Sequence, residues 1–216
     1  MRQIVSIHSY RGGTGKSNLT ANLATAVAMM GKRVGIVDTD IQSPGIHILF
    51  NLDQNNITRA LNDFLWGRCE IEETAYDITP APVAARGGSM FLIPSSIKAG
   101  EIARILREGY DVERLTEGFQ ALVERMKLDF LVIDTHPGLN EETLLSMAIS
   151  DVLVLILRPD RQDFQGTAVT VEVARRLKVP NLMLVVNKAL SSMDFAALKR
   201  QVEDTYNAPV AAVFPL

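Results

Sequence analysis

The residues of this 216-residue chain best suited to chemistry form one stretch, Tyr10-Arg11-Gly12-Gly13-Thr14-Gly15-Lys16-Ser17. Glycines at 12, 13 and 15 let successive backbone N–H groups turn toward a polyanion, and a helix starting behind them adds its partial positive charge. In such a loop Lys16 reaches the β- and γ-phosphates of a nucleotide and the Ser17 hydroxyl ligates Mg²⁺. Reading the stretch as a plain hairpin turn leaves Lys16 and Ser17 unexplained. Asp134 ends the apolar run Leu128–Ile133 and is expected to hold the Mg²⁺ through water, opposite Ser17. Asp38-Thr39-Asp40 ends another apolar run. Taken alone it is a solvated acidic turn, but one β-α-β unit after a phosphate loop it becomes a candidate site. His136 is expected to be an exposed loop histidine, because phosphoryl transfer needs no histidine base.

These residues need strands that stop together and helices that pack on the strands. Apolar runs at 4–7, 34–37, 90–93, 128–133, 152–157, 181–186 and 210–214 read as strands, and several are apolar on both faces as buried parallel strands are. Leu19, Leu23, Ala26, Val27 and Met30 have helical spacing, and Gly31-Lys32-Arg33 supplies a C-terminal stop. Further helices are expected over 98–108, with Ile102, Ile105 and Leu106 inward, over 112–126 with Asp111 as cap, and over 164–177 and 195–206. The alternation predicts an α/β fold: a doubly wound, mostly parallel sheet flanked by helices, with ligands beyond the carboxyl ends of its strands. Residues 46–100 are the least legible. A helix is expected where Ile57, Ala60, Leu61, Phe64 and Leu65 recur, with Trp66 a core or interface aromatic, and a loop over 79–88. No repeat or linker interrupts the chain, so a single domain over 1–216 is expected.

Composition removes several classes. The net charge of −3 argues against a wholly basic nucleic-acid surface. The one cysteine, Cys69, excludes a disulfide framework and a cysteine-built metal site within one chain. No apolar run reaches the roughly 18 residues of a membrane span, and no signal-peptide pattern opens the chain, so a cytoplasmic protein is expected.

A basic residue before the glycine pair, the Asp-x-Asp segment and the run Asp134-Thr135-His136-Pro137-Gly138-Leu139 together resemble the ParA/MinD family. Those P-loop NTPases, of SIMIBI type, carry the deviant loop K-G-G-x-G-K-[ST], and Arg11 falls on their signature lysine. The resemblance covers nearly the whole chain and implies an ATP- and Mg²⁺-dependent homodimer that hydrolyses ATP slowly, under the influence of an activating or adaptor protein, and positions cellular cargo. It assigns Gly12, Gly13, Thr14, Gly15, Lys16, Ser17 and Asn18 to the nucleotide, Asn187 to adenine and the Gly138 amide to the γ-phosphate. Ser17, Asp38 and Asp134 serve the metal. Lys16, Asp40 and Arg11 are the catalytic set, with Asp40 orienting water and Arg11 reaching the partner's nucleotide. Relatives continue past residue 216 into a segment that targets DNA or membrane. The lone cysteine argues against the related iron–sulfur carriers. A non-hydrolysing, nucleotide-gated scaffold, disabled by Arg11, is the alternative, and a metabolic phosphotransferase ranks below both.

Overall fold

Runs of Val, Ile and Leu become parallel strands here because both faces of the sheet are covered. The computed structural model describes residues 2–216. In chain order the strands are β1 Gln3–His8, β2 Arg33–Asp38, β3 Tyr76–Asp77, β4 Ser89–Ile93, β5 Phe130–Asp134, β6 Val152–Leu157, β7 Asn181–Ala189 and β8 Val210–Pro215. The described residues form one eight-stranded sheet in the order β3-β4-β2-β5-β1-β6-β7-β8. The short edge strand β3 runs antiparallel to β4. The chain divides into two compact units interleaved in sequence, one formed by the residues up to Ile4 with Ser17–His136, the other by Val5–Lys16 with Pro137–Leu216.

In the first unit β2 lies parallel to β4 and β5, and Val34, Ile36, Met90, Leu92, Leu131 and Ile133 are fully buried. Helix α1 (Lys16–Ala28) opens at the loop's last residue. Short helices α2 (Ile46–Leu49), α3 (Leu61–Leu65) and α4 (Ala81–Ala84) precede α5 (Ala99–Glu108) and α6 (Val112–Arg125). The Asp111 carboxylate caps α6 by accepting from the N–H groups of Glu113 and Arg114, as expected. Helix α6 buries Leu115, Phe119 and Leu122, and its Gly118 lies against Phe64 and Ile71, where a Cβ would meet side-chain carbons 2.6–2.7 Å away.

Between Ile57 and Glu108 the structure differs from expectation in three ways. The helix expected from Ile57 starts only at Leu61, because Asp53 caps a separate 3₁₀ turn, Gln54–Asn56, and Asp63 turns back to accept from the Ala60 N–H. The expected loop over 79–88 contains α4, with proline in its first turn. Leu106, expected inward, is 60% exposed, while Ile105 faces the core. The two are neighbours in sequence and so lie about 100° apart around the helix. Trp66 is half-buried, with the guanidinium groups of Arg68 and Arg104 over its ring at 4.7 and 4.4 Å.

In the second unit β6 pairs in parallel with the Val5–His8 part of β1, with β7, and through it with β8. Helices α7 (Glu141–Ala148), α8 (Arg161–Arg176) and α9 (Phe195–Tyr206) enclose a core of Leu153, Leu155, Leu157, Val171, Leu184, Val186 and Val202. The carboxylates of Asp160 and Asp194 cap α8 and α9. Helix α7 carries no strong apolar period and was not expected; Asn140 and Thr143 start it by reciprocal capping. Among the described residues no helix is long and apolar enough to cross a membrane.

Candidate functional site

In the second unit the loop after β1 is fixed from two sides. Gly13 and Gly15 have φ of 77° and 97°, a region in which a side chain is strained. The end of β7 pins this backbone: Asn187 donates its amide to the Thr14 carbonyl at 2.7 Å, and Lys188 Nζ donates to the Gly13 carbonyl at 2.8 Å. A Cβ on Gly15 would collide with the Asn187 amide. With the carbonyls of 13 and 14 drawn back, the loop's N–H groups are left to face a ligand. Lys16 is 7% exposed, and the buried Thr14 hydroxyl has no partner among the described residues. A phosphate group, rich in acceptors, fits that donor set.

Tyr10 stands where the standard loop has its first glycine, and its ring lies on Gly166 of α8, where no side chain would fit. Arg11 does not extend outward. Its Nη1 lies 3.4 Å from Asp163 Oδ1 and 3.7 Å from Asp160 Oδ1. Arg158 grips the same Asp163 through its backbone N–H at 2.9 Å and Nε at 3.1 Å, and this hydrogen bonding raises the Arg158 pKa further. The Gly138 N–H, assigned by resemblance to a γ-phosphate, donates to the Ser9 carbonyl at 3.1 Å. Asn187, assigned to adenine, spends one N–H on the loop. Neither Lys188 nor Arg158 was singled out from sequence. Lys188 was visible beside Asn187, but nothing in its spacing pointed at the loop.

The first unit assembles the acidic residues. The parallel register sets Asp38 beside Asp134, both buried. Thr20, one turn into α1 past Ser17 and Asn18, donates to Asp134 Oδ1 at 3.1 Å. Thr39 gives both its N–H and its hydroxyl to the Asp134 carbonyl. Asp38 accepts from the N–H groups of Asp40 at 3.0 Å and Gly45 at 3.2 Å, which folds the loop after β2 back on itself. Two residues beyond each strand end the same register brings Asp40 and His136 together, with His136 Nδ1 2.7 Å from Asp40 Oδ1. His136, expected as an exposed loop residue, is only 22% exposed and paired, because two residues past Asp38 and Asp134 the loops still run side by side. Among the described residues no three His, Cys, Asp or Glu side chains form a metal cage. Mg²⁺ takes one or two carboxylates and fills its octahedron with waters and phosphate oxygens, and the adjacent Asp38 and Asp134 supply carboxylates in that number.

A glycine-rich loop after the first strand of a doubly wound parallel sheet, with aspartates closing two further strands, is the architecture of a P-loop NTPase. A sequence profile described as ParA, NUBPL iron-transfer P-loop NTPase, matches residues 1–203, and the chain belongs to that family. An uncharacterised ATP-binding protein of Methanocaldococcus jannaschii is 28% identical over 211 residues, which are 98% of this chain and 73% of that protein. An iron-sulfur cluster carrier protein of the same organism is 28% identical over 189 residues, 85% of this chain and 59% of the carrier's length. The septum site-determining protein MinD of Pyrococcus horikoshii, solved with Mg-ADP, superposes with a TM-score of 0.82 at 25% identity, covering all of this chain and 82% of MinD.

Proposed function

We propose that this chain is a cytoplasmic ATPase switch, with residues 1–216 acting as one ATPase domain that binds Mg-ATP, dimerises and positions a cargo. The observation that carries the reading is the pinned loop: carbonyls of Gly13 and Thr14 tied back by Lys188 and Asn187, with a buried Lys16 following. In this reading the loop's N–H groups and Lys16 bind the phosphates, and Ser17, Asp38 and Asp134 hold Mg²⁺, directly or through water. Bound Mg²⁺ would neutralise charge on the transferring phosphate. Asp40 orients the attacking water. Arg11 leaves Asp160 and Asp163 and enters the partner's site, where a planar guanidinium can grip phosphate oxygens. MinD, described with Mg-ADP and as septum site-determining, supports the nucleotide and the positioning role.

Carriage of an iron–sulfur cluster, the activity in the name of one relative, requires thiolates, and this chain offers only Cys69. The scaffold alternative draws on the Arg11–Asp163 pair, which keeps the arginine on its own chain. Phosphate release and light scattering with ATP and with ADP test the proposal. Wild type is expected to hydrolyse ATP slowly and to dimerise in ATP only, while Lys16→Ala does neither. Wild-type behaviour in Lys16→Ala removes the phosphate-loop assignment. ATP binding and dimerisation without turnover favour the scaffold.

A further inference from the structure

The pairing of His136 with Asp40 has no counterpart in the roles assigned so far. Asp40 Oδ1 receives two donors, His136 Nδ1 at 2.7 Å and the Ser43 N–H at 3.2 Å. Oδ2 receives none among the described residues. The carboxylate is therefore held by one oxygen and presents the other. The hold is specific. Ser43 comes from the loop after β2 and His136 from the segment after β5, so the two donors approach from different strands and fix the carboxylate plane as well as its position.

We propose that His136 is a positioning residue, whose Nδ1–H fixes Oδ1 of Asp40 so that Oδ2 is the oxygen offered to the attacking water. The inference rests on the ATPase reading and deepens it. A carboxylate accepts hydrogen bonds and does not donate them, so the imidazole carries its hydrogen on Nδ1. The ring acts through Asp40 and does not need to touch the nucleotide. Its value is orientational: a water-orienting group displaced by about 1 Å can cost on the order of 100-fold in rate.

Three variants separate orientation from simple packing. Asparagine places an amide N–H about as far from Cα as imidazole Nδ1, glutamine places it one carbon further, and leucine has no donor. His136→Leu is expected to lower kcat by roughly 10- to 100-fold with KM and the affinity for a fluorescent ATP analogue unchanged. His136→Asn should recover most of the loss, and His136→Gln little of it. In an Asp40→Ala background His136→Leu should cost nothing more, since a residue that acts only through Asp40 has nothing left to position. Wild-type kcat in His136→Leu, an equal loss in the asparagine and leucine variants, or additive losses in the double variant overturns the positioning role while leaving the ATPase reading intact. Absence of turnover in wild type overturns both. Unchanged analogue affinity in each variant certifies that the protein tested is folded.

Discussion

Arg11 and Arg158 share one carboxylate but should contribute unequally to stability, and the inequality decides whether Arg11 is free to leave. Asp163 is 2% exposed. Arg158 reaches it through Nε at 3.1 Å and Nη2 at 3.4 Å, with its side chain 26% exposed. Arg11 makes one contact at 3.4 Å and is 40% exposed. A hydrogen bond to a charged group contributes about 1.5–3 kcal/mol, whereas a solvated ion pair contributes about 0–1 kcal/mol. Arg158→Ala also leaves a buried carboxylate short of its main partner, so a loss of about 2–3 kcal/mol is expected. Arg11→Ala is expected to cost less than about 1 kcal/mol. At about 2–4 °C of Tm per kcal/mol for a chain of this size, the variants should melt roughly 4–12 °C and under 4 °C below wild type. Thermal unfolding followed by circular dichroism, in low and in 0.5 M salt, reads the difference; salt should matter mainly for the exposed Arg11 pair. Equal shifts for the two variants would refute the reasoning. Arg11 would then be a structural residue, and its transfer to a partner would carry a stability cost the proposal does not allow.

Lys188→Ala releases the Gly13 carbonyl and should weaken Mg-ATP binding on the order of 10-fold without unfolding the chain, as measured by titration calorimetry. Gly118→Val drives methyl groups into Phe64 and Ile71 and should lower stability by about 1–3 kcal/mol or more in urea unfolding. His47 is 1% exposed, neither ring nitrogen has a partner among the described residues, and burial lowers its pKa from 6.5. The native state resists protonating it, so its contribution is present above pH 6.5 and lost as pH falls below that value. Wild type should therefore lose stability as pH falls below about 6.5 more steeply than His47→Leu, in parallel denaturant titrations.

The strands were legible because parallel strands buried on both faces are short unbroken apolar runs, and an aspartate at the end of such a run is conspicuous. Asp38 and Asp134 could thus be matched before their register was known. The capping aspartate Asp111 was equally plain, since a carboxylate before an amphipathic period has few other meanings. What escaped was structure made by tertiary contact. Helix α3 is one turn long, so the period read from Ile57 overran its start, while α7 is buried on several sides and displays no period. Lys188 and His136 are defined by what lies across a strand from them, Gly13 and Asp40, and no local pattern encodes that. Arg11 stood out beside the glycine pair, but its partner Asp163 lies some 150 residues away on α8, which no local pattern reveals.

The seating of the Tyr10 ring on Gly166 ties two distant positions into one heritable character. With the ring seated in this way, an aromatic at position 10 and a side chain at position 166 exclude one another, so a substitution at either position changes what the other can hold.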